Sequence, residues 1–334
     1  MKFSRAWRGV AVAVITVLTL LVFAACDTVA TEEYFDVFGT TASVRSEKKG
    51  YAESVREYMQ SAELVLSATV DGSDINRINS AKAGESVVVD ELTMEVLLLA
   101  HDVYVLTDGA YDPSVYPLVE LWGFSPDKFV AGYAPERIPT AEEIDAAMTL
   151  VGFDGAFSLD AEELTVTKLK EGAKLDVGGI AKGYIVEKSI SVAEGETLVN
   201  LGGNIGGKNG EFTIGVGAPR DYTLSYVCTL ALGDGECVST SGDYERYYEL
   251  DGVMYHHIID PRTGYPADSG LASATVVTTC GGLGDALSTA IVVAGEEKGR
   301  EWLETLRGEY PEISAVFVTP ELEVTWFGRS VKLT

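Results

Sequence analysis

The alternation of apolar and polar residues divides the chain into segments of two periodicities. Apolar positions three and four residues apart are typical of amphipathic helices, and apolar positions two residues apart are typical of half-buried strands. The first pattern predicts helices over residues 49–66, 75–78, 92–107, 140–150, 180–193, 284–294 and 298–307. The second predicts strands over residues 34–44, 156–166, 173–177, 198–201, 212–216, 226–232, 272–279, 313–319 and 322–327, and a hairpin over residues 247–255.

The order of these segments indicates the fold class. Strands follow one another in runs instead of alternating strictly with helices, which is typical of an α+β fold. We therefore predict antiparallel or mixed sheets flanked by helices. No linker or low-complexity stretch interrupts residues 34–334, and no repeat of roughly 20–50 residues recurs. These residues are predicted to form a single compact domain.

The N-terminal segment has the pattern of an export signal. Three basic residues precede a mostly apolar run over residues 10–25, which is short for a membrane span but typical of a signal peptide. The run ends in small residues before Cys26, which resembles the lipobox of bacterial lipoproteins. We predict a signal peptide over residues 1–25, lipidation of Cys26, a tether over residues 26–33, and anchoring to the outer face of the bacterial cytoplasmic membrane. A plain secretory signal or an uncleaved anchor is the alternative.

Charge excludes one large class of partners. The chain has 51 acidic and 25 basic residues, and its formal net charge is −26. Nucleic-acid binding depends on clusters of lysine and arginine at the phosphates, and the sequence has no such cluster. A basic surface for anionic lipid is excluded for the same reason.

Export would place the cysteines in a compartment where disulfides form. Cys228 and Cys237 flank a Gly-Asp-Gly turn signal, so they could face each other as a disulfide, or remain small buried thiols. Cys280 would then be left over. None of the three has the spacing of a zinc site.

The segment Asp176–Lys182 has the pattern of an anion-binding junction. A predicted strand ends in Asp176, two glycines follow, and a helix begins. Free backbone N–H groups and the positive end of the helix suit a phosphate or carboxylate. Lys182 would lie in the first turn, where its charge opposes the helix dipole unless an anion binds there. An ordinary strand–turn–helix junction is the alternative.

Two further segments are rich in glycine, histidine and polar residues. Residues 200–207 contain two glycine pairs, which allow close approach of the backbone or form a simple hairpin. Residues 239–246 and 255–266 follow, and the latter contain His256 and His257. Neighbouring residues of a strand point to opposite faces, so these two side chains cannot easily hold one metal. A structural role for each histidine is the alternative.

The last segment places a carboxylate and a hydroxyl on one helical face. Asp285 and Thr289 are four residues apart in a predicted helix, and Ser288 lies beside Thr289. Oxygen ligands of this kind suit Mg²⁺, which also takes ligands from water and substrate phosphates. The alternative is that Asp285 only interacts favourably with the helix dipole.

Taken together and in this order, the segments resemble those of the ApbE-type flavin transferases, the FAD:protein FMN transferase family. The stretches that carry the resemblance are 38–40, 73–79, 107–113, 175–184, 198–206, 239–247, 257–264 and 285–290. The resemblance implies an α+β domain that binds FAD and Mg²⁺ in a cleft. It also implies that FMN is transferred through its phosphate to a threonine or serine of a membrane or exported flavoprotein, with release of AMP.

Site residues follow from the resemblance position by position. It implies metal ligation by the side chains of Asp285 and Thr289, and by backbone carbonyls at Gly179 and Ser288. It implies FAD contacts at Phe38, Thr69, Ala110, Tyr111, Asp112, Asp176, Lys182 and Ile258. Phe38 replaces a methionine of the family, and Thr69 replaces an aromatic residue present in many relatives.

The chemistry of transfer needs a base near the incoming hydroxyl group. We expect His257 in this role, with Asp243 as the second candidate. Two uses of the same site compete with transfer: hydrolysis of FAD to FMN and AMP, and flavin binding by a lipoprotein without chemistry. A purely structural surface lipoprotein is the remaining alternative.

Overall fold

The structure, a computed structural model, describes residues 30–221 and 223–334. The predicted signal peptide and the lipidation site at Cys26 lie outside the described residues. The first strand begins at Thr31, so the end of the segment assigned to the tether is part of the sheet. No helix among the described residues has both the length and the apolar character needed to cross a membrane.

Nine helices are formed by the described residues. They are α1 (Tyr51–Leu66), α2 (Asp74–Ser80), α3 (Glu91–Leu106), α4 (Tyr116–Leu121), α5 (Ala141–Met148), α6 (Phe153–Ala156), α7 (Gly178–Ser191), α8 (Gly281–Ala294) and α9 (Glu296–Leu306). The predicted start of α5 is confirmed by a capping box, in which the Thr140 hydroxyl accepts from the Glu143 amide and the Glu143 side chain accepts from the Thr140 amide.

The strands among the described residues form one large and three small sheets. The large sheet contains β1 (Thr31–Val37), β2 (Thr40–Ser46), β6 (Thr197–Leu201), β7 (Asn204–Lys208), β10 (Cys237–Gly242), β13 (Ser273–Thr278), β14 (Ser314–Val318) and β15 (Val324–Phe327), in that spatial order. The small sheets contain β3 (Ser86–Val88), β5 (Thr165–Lys168) and β4 (Phe157–Asp160); β16 (Lys332–Leu333), β9 (Tyr226–Leu232) and β8 (Phe212–Gly217); and β11 (Tyr247–Leu250) with β12 (Val253–His256).

The large sheet is antiparallel and covered on both faces. In β13, Val276 packs into the main core beneath α7 and α8, whereas Val277 packs into a second core beneath the β8–β9 sheet. Because both faces of the sheet are covered, every residue of β13 and β14 is buried, including the serines and threonines in these strands. The fold is α+β with antiparallel sheets flanked by helices, and the predicted fold class is confirmed.

Three predicted strands differ from the structure. Residues 34–44 form β1 and β2, because Phe38 and Gly39 both have positive φ and reverse the chain. Residues 156–166 likewise divide between β4 and β5. Residues 173–177 form no strand: the Leu175 amide donates to the Asn79 side chain, and the Asp176 amide donates to the Pro113 carbonyl.

Of the two alternatives for Cys228 and Cys237, the structure has free thiols and no disulfide. Cys228, Cys237 and Cys280 are free thiols. Cys228 lies in β9, which pairs with β8 and β16, whereas Cys237 lies in β10 of the large sheet. The turn signal between the cysteines therefore connects strands of two different sheets. Burial raises the pKa of all three thiols, which fits the alternative of buried, unreactive cysteines.

Candidate active site

One cavity of about 430 Å³ collects residues from eight parts of the chain. It lies at the N-terminus of α7, between the β1–β2 turn, the end of α1, the segment around α4, the β6–β7 turn, β10, α8 and the loop after β12. All of the residues predicted to bind FAD line it: Phe38, Thr69, Ala110, Tyr111, Asp112, Asp176, Lys182 and Ile258. Gly179, His257, Asp285 and Thr289 line it as well. Among the predicted site residues within the described ranges, Asp243 and Ser288 do not.

The start of α7 presents backbone amides and one cation to the cavity. The Asp176 carboxylate accepts from the Gly178 amide at 2.8 Å, which ties the loop to the first turn. Gly179 departs from helical geometry, with φ −90° and ψ 16°. The Lys182 ammonium group bends back and donates to the Gly178 carbonyl. Lys182 thus lies over the first turn, with no carboxylate as its partner in the described part of the chain.

Polar oxygens of α8 and β10 converge on the same end of the cavity. The Ser241 hydroxyl lies 2.8 Å from that of Ser288 and 2.9 Å from that of Thr289. Asp285 is only 3% exposed, and its Oδ2 accepts from the Gly183 amide at 3.1 Å. A single hydrogen bond from an amide leaves the other carboxylate oxygen available to a ligand.

Two glycines bring α7 and α8 close enough for this contact. A Cβ atom at position 183 would lie 2.1 Å from the Gly281 carbonyl oxygen and 2.7 Å from the Asp285 Cβ. A Cβ atom at position 281 would lie 2.3 Å from the Gly183 carbonyl oxygen. No other residue type fits at this crossing without moving a helix. The glycines therefore determine where Asp285 stands relative to the start of α7.

The donor set at this end fits a hard cation that shares its coordination with a ligand. In residues 30–221 and 223–334, no group of three or more His, Cys, Asp or Glu side chains could hold a metal alone. Asp285 and the Thr289 hydroxyl supply two oxygens, and a Cβ at Gly179 would lie 3.6 Å from the Thr289 hydroxyl. Such a sparse set of oxygens suits Mg²⁺ completed by phosphate and water. The Ser288 hydroxyl is buried and donates to the Asp285 carbonyl, which leaves only its main chain for the predicted role.

His257 is half-buried at the cavity, and its Nδ1 atom has no hydrogen-bond partner. Burial and the positive charges of Arg246, His256 and Lys182 lower the pKa of His257 to about 3. The imidazole is therefore neutral near pH 7 and can accept a proton. Its main-chain amide donates to the Arg246 carbonyl at 3.0 Å.

Asp243, the second candidate base, lies outside the cavity. Its buried carboxylate forms an ion pair with Arg220, and burial raises its pKa more than Arg220 lowers it. His256, the neighbour of His257, also points elsewhere: its Nε2 lies 2.9 Å from the Ala267 carbonyl oxygen. The two side chains thus point in different directions, with His256 at the end of β12 and His257 in the bend that follows it.

The charge of the cavity is mixed, with more acids than bases. Its ionisable cations are Lys182 and Arg246, and its carboxylates belong to Glu63, Asp112, Asp176, Glu245 and Asp285. No carboxylate forms an ion pair with the Arg246 guanidinium among the described residues. An anionic ligand would therefore find two cations outside close ion pairs, although their charges also act on the buried Glu245 carboxylate. The surplus of carboxylates would favour a bound metal cation beside the anion.

Aromatic side chains line the cavity as well, and one of them lies beside the oxygen donors: a Cβ atom at Gly179 would lie 3.5 Å from the Tyr111 ring. Phe38 lies in the β1–β2 turn, where its amide donates to the Glu63 side chain at 2.8 Å. Tyr111 is buried with an unpartnered hydroxyl group, and burial together with nearby carboxylates raises its pKa well above the usual value. Thr69 lies exposed at the rim. Asp112 accepts from the Ser114 amide and hydroxyl, so it orders the turn before α4 as well as lining the cavity.

Several lining residues were not singled out by sequence reasoning. Ser241 and Arg246 fall within a segment that was noted for its composition, but nothing in the pattern distinguished them from their neighbours. Asn204 follows the glycine pair 202–203, which was noted only for backbone approach. Glu63 and Glu245 had no sequence signal, because solvated carboxylates are common in a chain this acidic.

Comparison with known proteins agrees with this geometry. A model of the ApbE family matches residues 38–316. The FAD:protein FMN transferase of Klebsiella pneumoniae strain 342 is 32% identical over 283 residues, which cover 84% of this chain and 85% of the relative. The FAD:protein FMN transferase of Treponema pallidum strain Nichols is 32% identical over 317 residues, which cover 86% and 84%.

Solved structures resemble the chain over nearly its whole length. The ApbE protein of Thermotoga maritima superposes with a TM-score of 0.78 at 32% identity, covering 90% of this chain and 97% of that protein. The apo flavinyl transferase ApbE of Pseudomonas stutzeri superposes with a TM-score of 0.72 at 29% identity, covering 91% and 94%. Both comparisons confirm the predicted fold and the resemblance noted from the motifs. The chain belongs to the ApbE family.

Proposed function

We propose that this protein is a Mg²⁺-dependent enzyme that transfers FMN from FAD to a threonine or serine hydroxyl of a partner protein. The curated relatives are named for FAD:protein FMN transfer. The observation that carries the proposal is the convergence of an amide-rich helix start, two cations outside close ion pairs, an oxygen donor set and a neutral histidine on one cavity. Each of these features has a function in phosphoryl transfer.

The chain's own groups bind and orient the pyrophosphate. Lys182 and the amides at the start of α7 face one side of the polar end, and Arg246 adds a second cation. The protonated Tyr111 hydroxyl is a further donor without a partner. Positive charges and preorganised donors stabilise the charge that develops on phosphate oxygens during transfer.

The residues that would hold Mg²⁺ are Asp285 and Thr289, with main-chain oxygens of Gly179 and Ser288. A bound Mg²⁺ supplies charge neutralisation at the pyrophosphate and at the leaving AMP. Gly183 and Ser241 do not bind the metal themselves, but their hydrogen bonds position its ligands Asp285 and Thr289.

The bond changes require one base. The acceptor oxygen forms a bond to the phosphorus of the FMN half, the bond from that phosphorus to the bridging oxygen breaks, and AMP leaves with the bridging oxygen. His257 accepts the hydroxyl proton. Burial, and then the cations Arg246 and Lys182, depress the pKa of His257. An anion bound beside these cations offsets their part of the shift and makes His257 a better base when substrate is present.

The location of the enzyme is proposed from the sequence alone. The signal pattern over residues 1–25 and the small residues before Cys26 support export and lipid anchoring. The acceptor would then be an exported or membrane flavoprotein. A Cys26→Ser variant is expected to leave the membrane fraction of the producing cell, and retention of the variant in that fraction would contradict lipid anchoring.

The test of the reaction uses the purified full-length protein with FAD and an exported flavoprotein that carries an acceptor threonine. We expect the acceptor to gain the mass of one FMN phosphodiester, with an equal amount of AMP, only when Mg²⁺ is present. AMP and free FMN without acceptor modification would favour the hydrolytic alternative. Bound FAD without any AMP would overturn the catalytic proposal in favour of a flavin carrier.

A further inference from the structure

Asn204 has a buried amide side chain at the cavity and no role in the proposed transfer step. It is the first residue of β7, directly after the turn formed by Gly202 and Gly203, and it pairs with Leu201 of β6. Its side chain is 2% exposed and lines the cavity. Sheet residues this deeply buried are usually apolar, so an amide here calls for a polar partner.

The direction of the Asn204 side chain follows from its neighbours in β7. Gly206 lies two residues further along and so faces the same side of the sheet. A Cβ atom at Gly206 would meet Val186 and Ile190 of α7. Asn204 therefore faces the α7 side of the sheet as well, at the end of β7 where Lys182 and the start of α7 also line the cavity.

The Oδ1 atom of Asn204 is buried and has no hydrogen-bond partner. A buried acceptor without a partner is unfavourable, because the hydrogen bonds it made to water in the unfolded chain are lost. The Tyr111 hydroxyl and the His257 Nδ1 atom at the same cavity share this property. Three of the nine buried side-chain polar atoms without a partner among the described residues thus belong to residues that line this one cavity, where a bound ligand could satisfy them.

We infer that Asn204 is a substrate-recognition residue that accepts a hydrogen bond from an N–H or O–H group of the bound dinucleotide. An ionised phosphate carries no hydrogen to donate, so it can bond the Nδ2 group of Asn204 but not its Oδ1 atom. The remaining donors are ring or exocyclic N–H groups and sugar hydroxyls, which both the FMN half and the AMP half possess. The inference rests on the proposed function, since it assumes that FAD occupies this cavity.

The test replaces Asn204 with leucine, which has a similar volume and no polar atoms. The Asn204→Leu variant is expected to weaken FAD binding about tenfold, the usual effect of losing one hydrogen bond to a neutral group. Its ligand-free Tm is expected to stay the same or rise, because an unsatisfied acceptor has been removed. A structural role for Asn204 would instead lower the Tm.

Two sets of measurements make the result decisive. Dissociation constants for FMN and for AMP, measured separately on wild type and Asn204→Leu, should show loss of affinity for one half only. Ser314→Ala is the matched control, because the Ser314 hydroxyl is also buried and unpartnered but lies in β14 outside the cavity. This control should bind FAD as the wild type does.

The outcomes separate this inference from the proposed function. Unchanged FAD affinity in Asn204→Leu, or equal losses for FMN and AMP together with a lower Tm, would overturn the role of Asn204. Failure of the wild type itself to bind FAD would overturn the proposed function instead.

Discussion

Substitution of Gly183 by alanine tests how the crossing of α7 and α8 creates the site. The new methyl group would lie 2.1 Å from the Gly281 carbonyl oxygen, where a relaxed carbon–oxygen contact needs about 1 Å more. The obstacle is main chain, so one helix must move. Overpacking of this kind costs about 1–3 kcal/mol, and the gain in helix propensity from glycine to alanine returns at most about 1 kcal/mol.

The same displacement acts on the chemistry. The Gly183 amide donates to Asp285, and the new methyl group would also lie 2.7 Å from the Asp285 Cβ. Moving a positioned group by about 1 Å can reduce turnover about 10²-fold. We expect Gly183→Ala to lower the free energy of unfolding and to lose most of its AMP release at saturating FAD and Mg²⁺.

Urea unfolding and initial rates of AMP release measure the two effects. Gly155→Ala is the matched control: Gly155 also lies in a helix, and a Cβ there meets nothing within 4 Å. The control should be as stable as the wild type or slightly more stable, with full activity. A Gly183→Ala variant with the stability and activity of the control would refute the reasoning.

Three other predictions concern charge. Asp285→Asn should raise the Mg²⁺ concentration needed for half-maximal AMP release at least about tenfold, because the carboxylate charge at the cation is lost; an unchanged Mg²⁺ titration would contradict its role as a ligand. Lys182→Met should weaken FAD binding about tenfold in a fluorescence titration, because a charge-assisted bond to phosphate is lost. The ligand-free variant should keep its stability, because the lost charge opposed the helix dipole. An FAD affinity equal to that of the wild type would exclude Lys182 from the phosphate site. Folding lowers the pKa of His257 from 6.5 to about 3, so the unfolded chain binds a proton at this residue more readily than the folded protein does. The free energy of unfolding should therefore decrease as the pH falls from 6.5 towards 3. His257→Gln should show a smaller decrease in urea unfolding over this range, and identical pH dependence would contradict the lowered pKa.

The sequence was most informative where one element could be identified from its own residues. The helix predicted over 49–66 is α1, and the one predicted over 92–107 is α3, because each has a long apolar periodicity. The cavity residues of α7 and α8 followed from motifs whose order matched one family. Local pattern and family resemblance together were therefore sufficient to predict many of the residues that line the cavity.

The sequence was least informative where distant segments decide the outcome. The alternating residues 173–177 suggested a strand, but the amides of Leu175 and Asp176 are bonded to Asn79 and Pro113, which no local pattern indicates. Helix α4 has only six residues, which are too few for a helical periodicity to be recognised in the sequence. The approach of Gly183 to Gly281 and the pairing of Asp243 with Arg220 are tertiary contacts, and spacing along the chain contains no signal for them.

The proposed reaction requires FAD and the divalent cation to bind side by side in this cavity. Crystals of the protein grown with FAD and Mn²⁺, used in place of Mg²⁺ for its anomalous scattering, would locate both directly. We expect a single Mn²⁺ peak bonded to Asp285 and Thr289, with the FAD pyrophosphate between it and Lys182. A Mn²⁺ peak away from Asp285, or FAD bound outside this cavity, would contradict it.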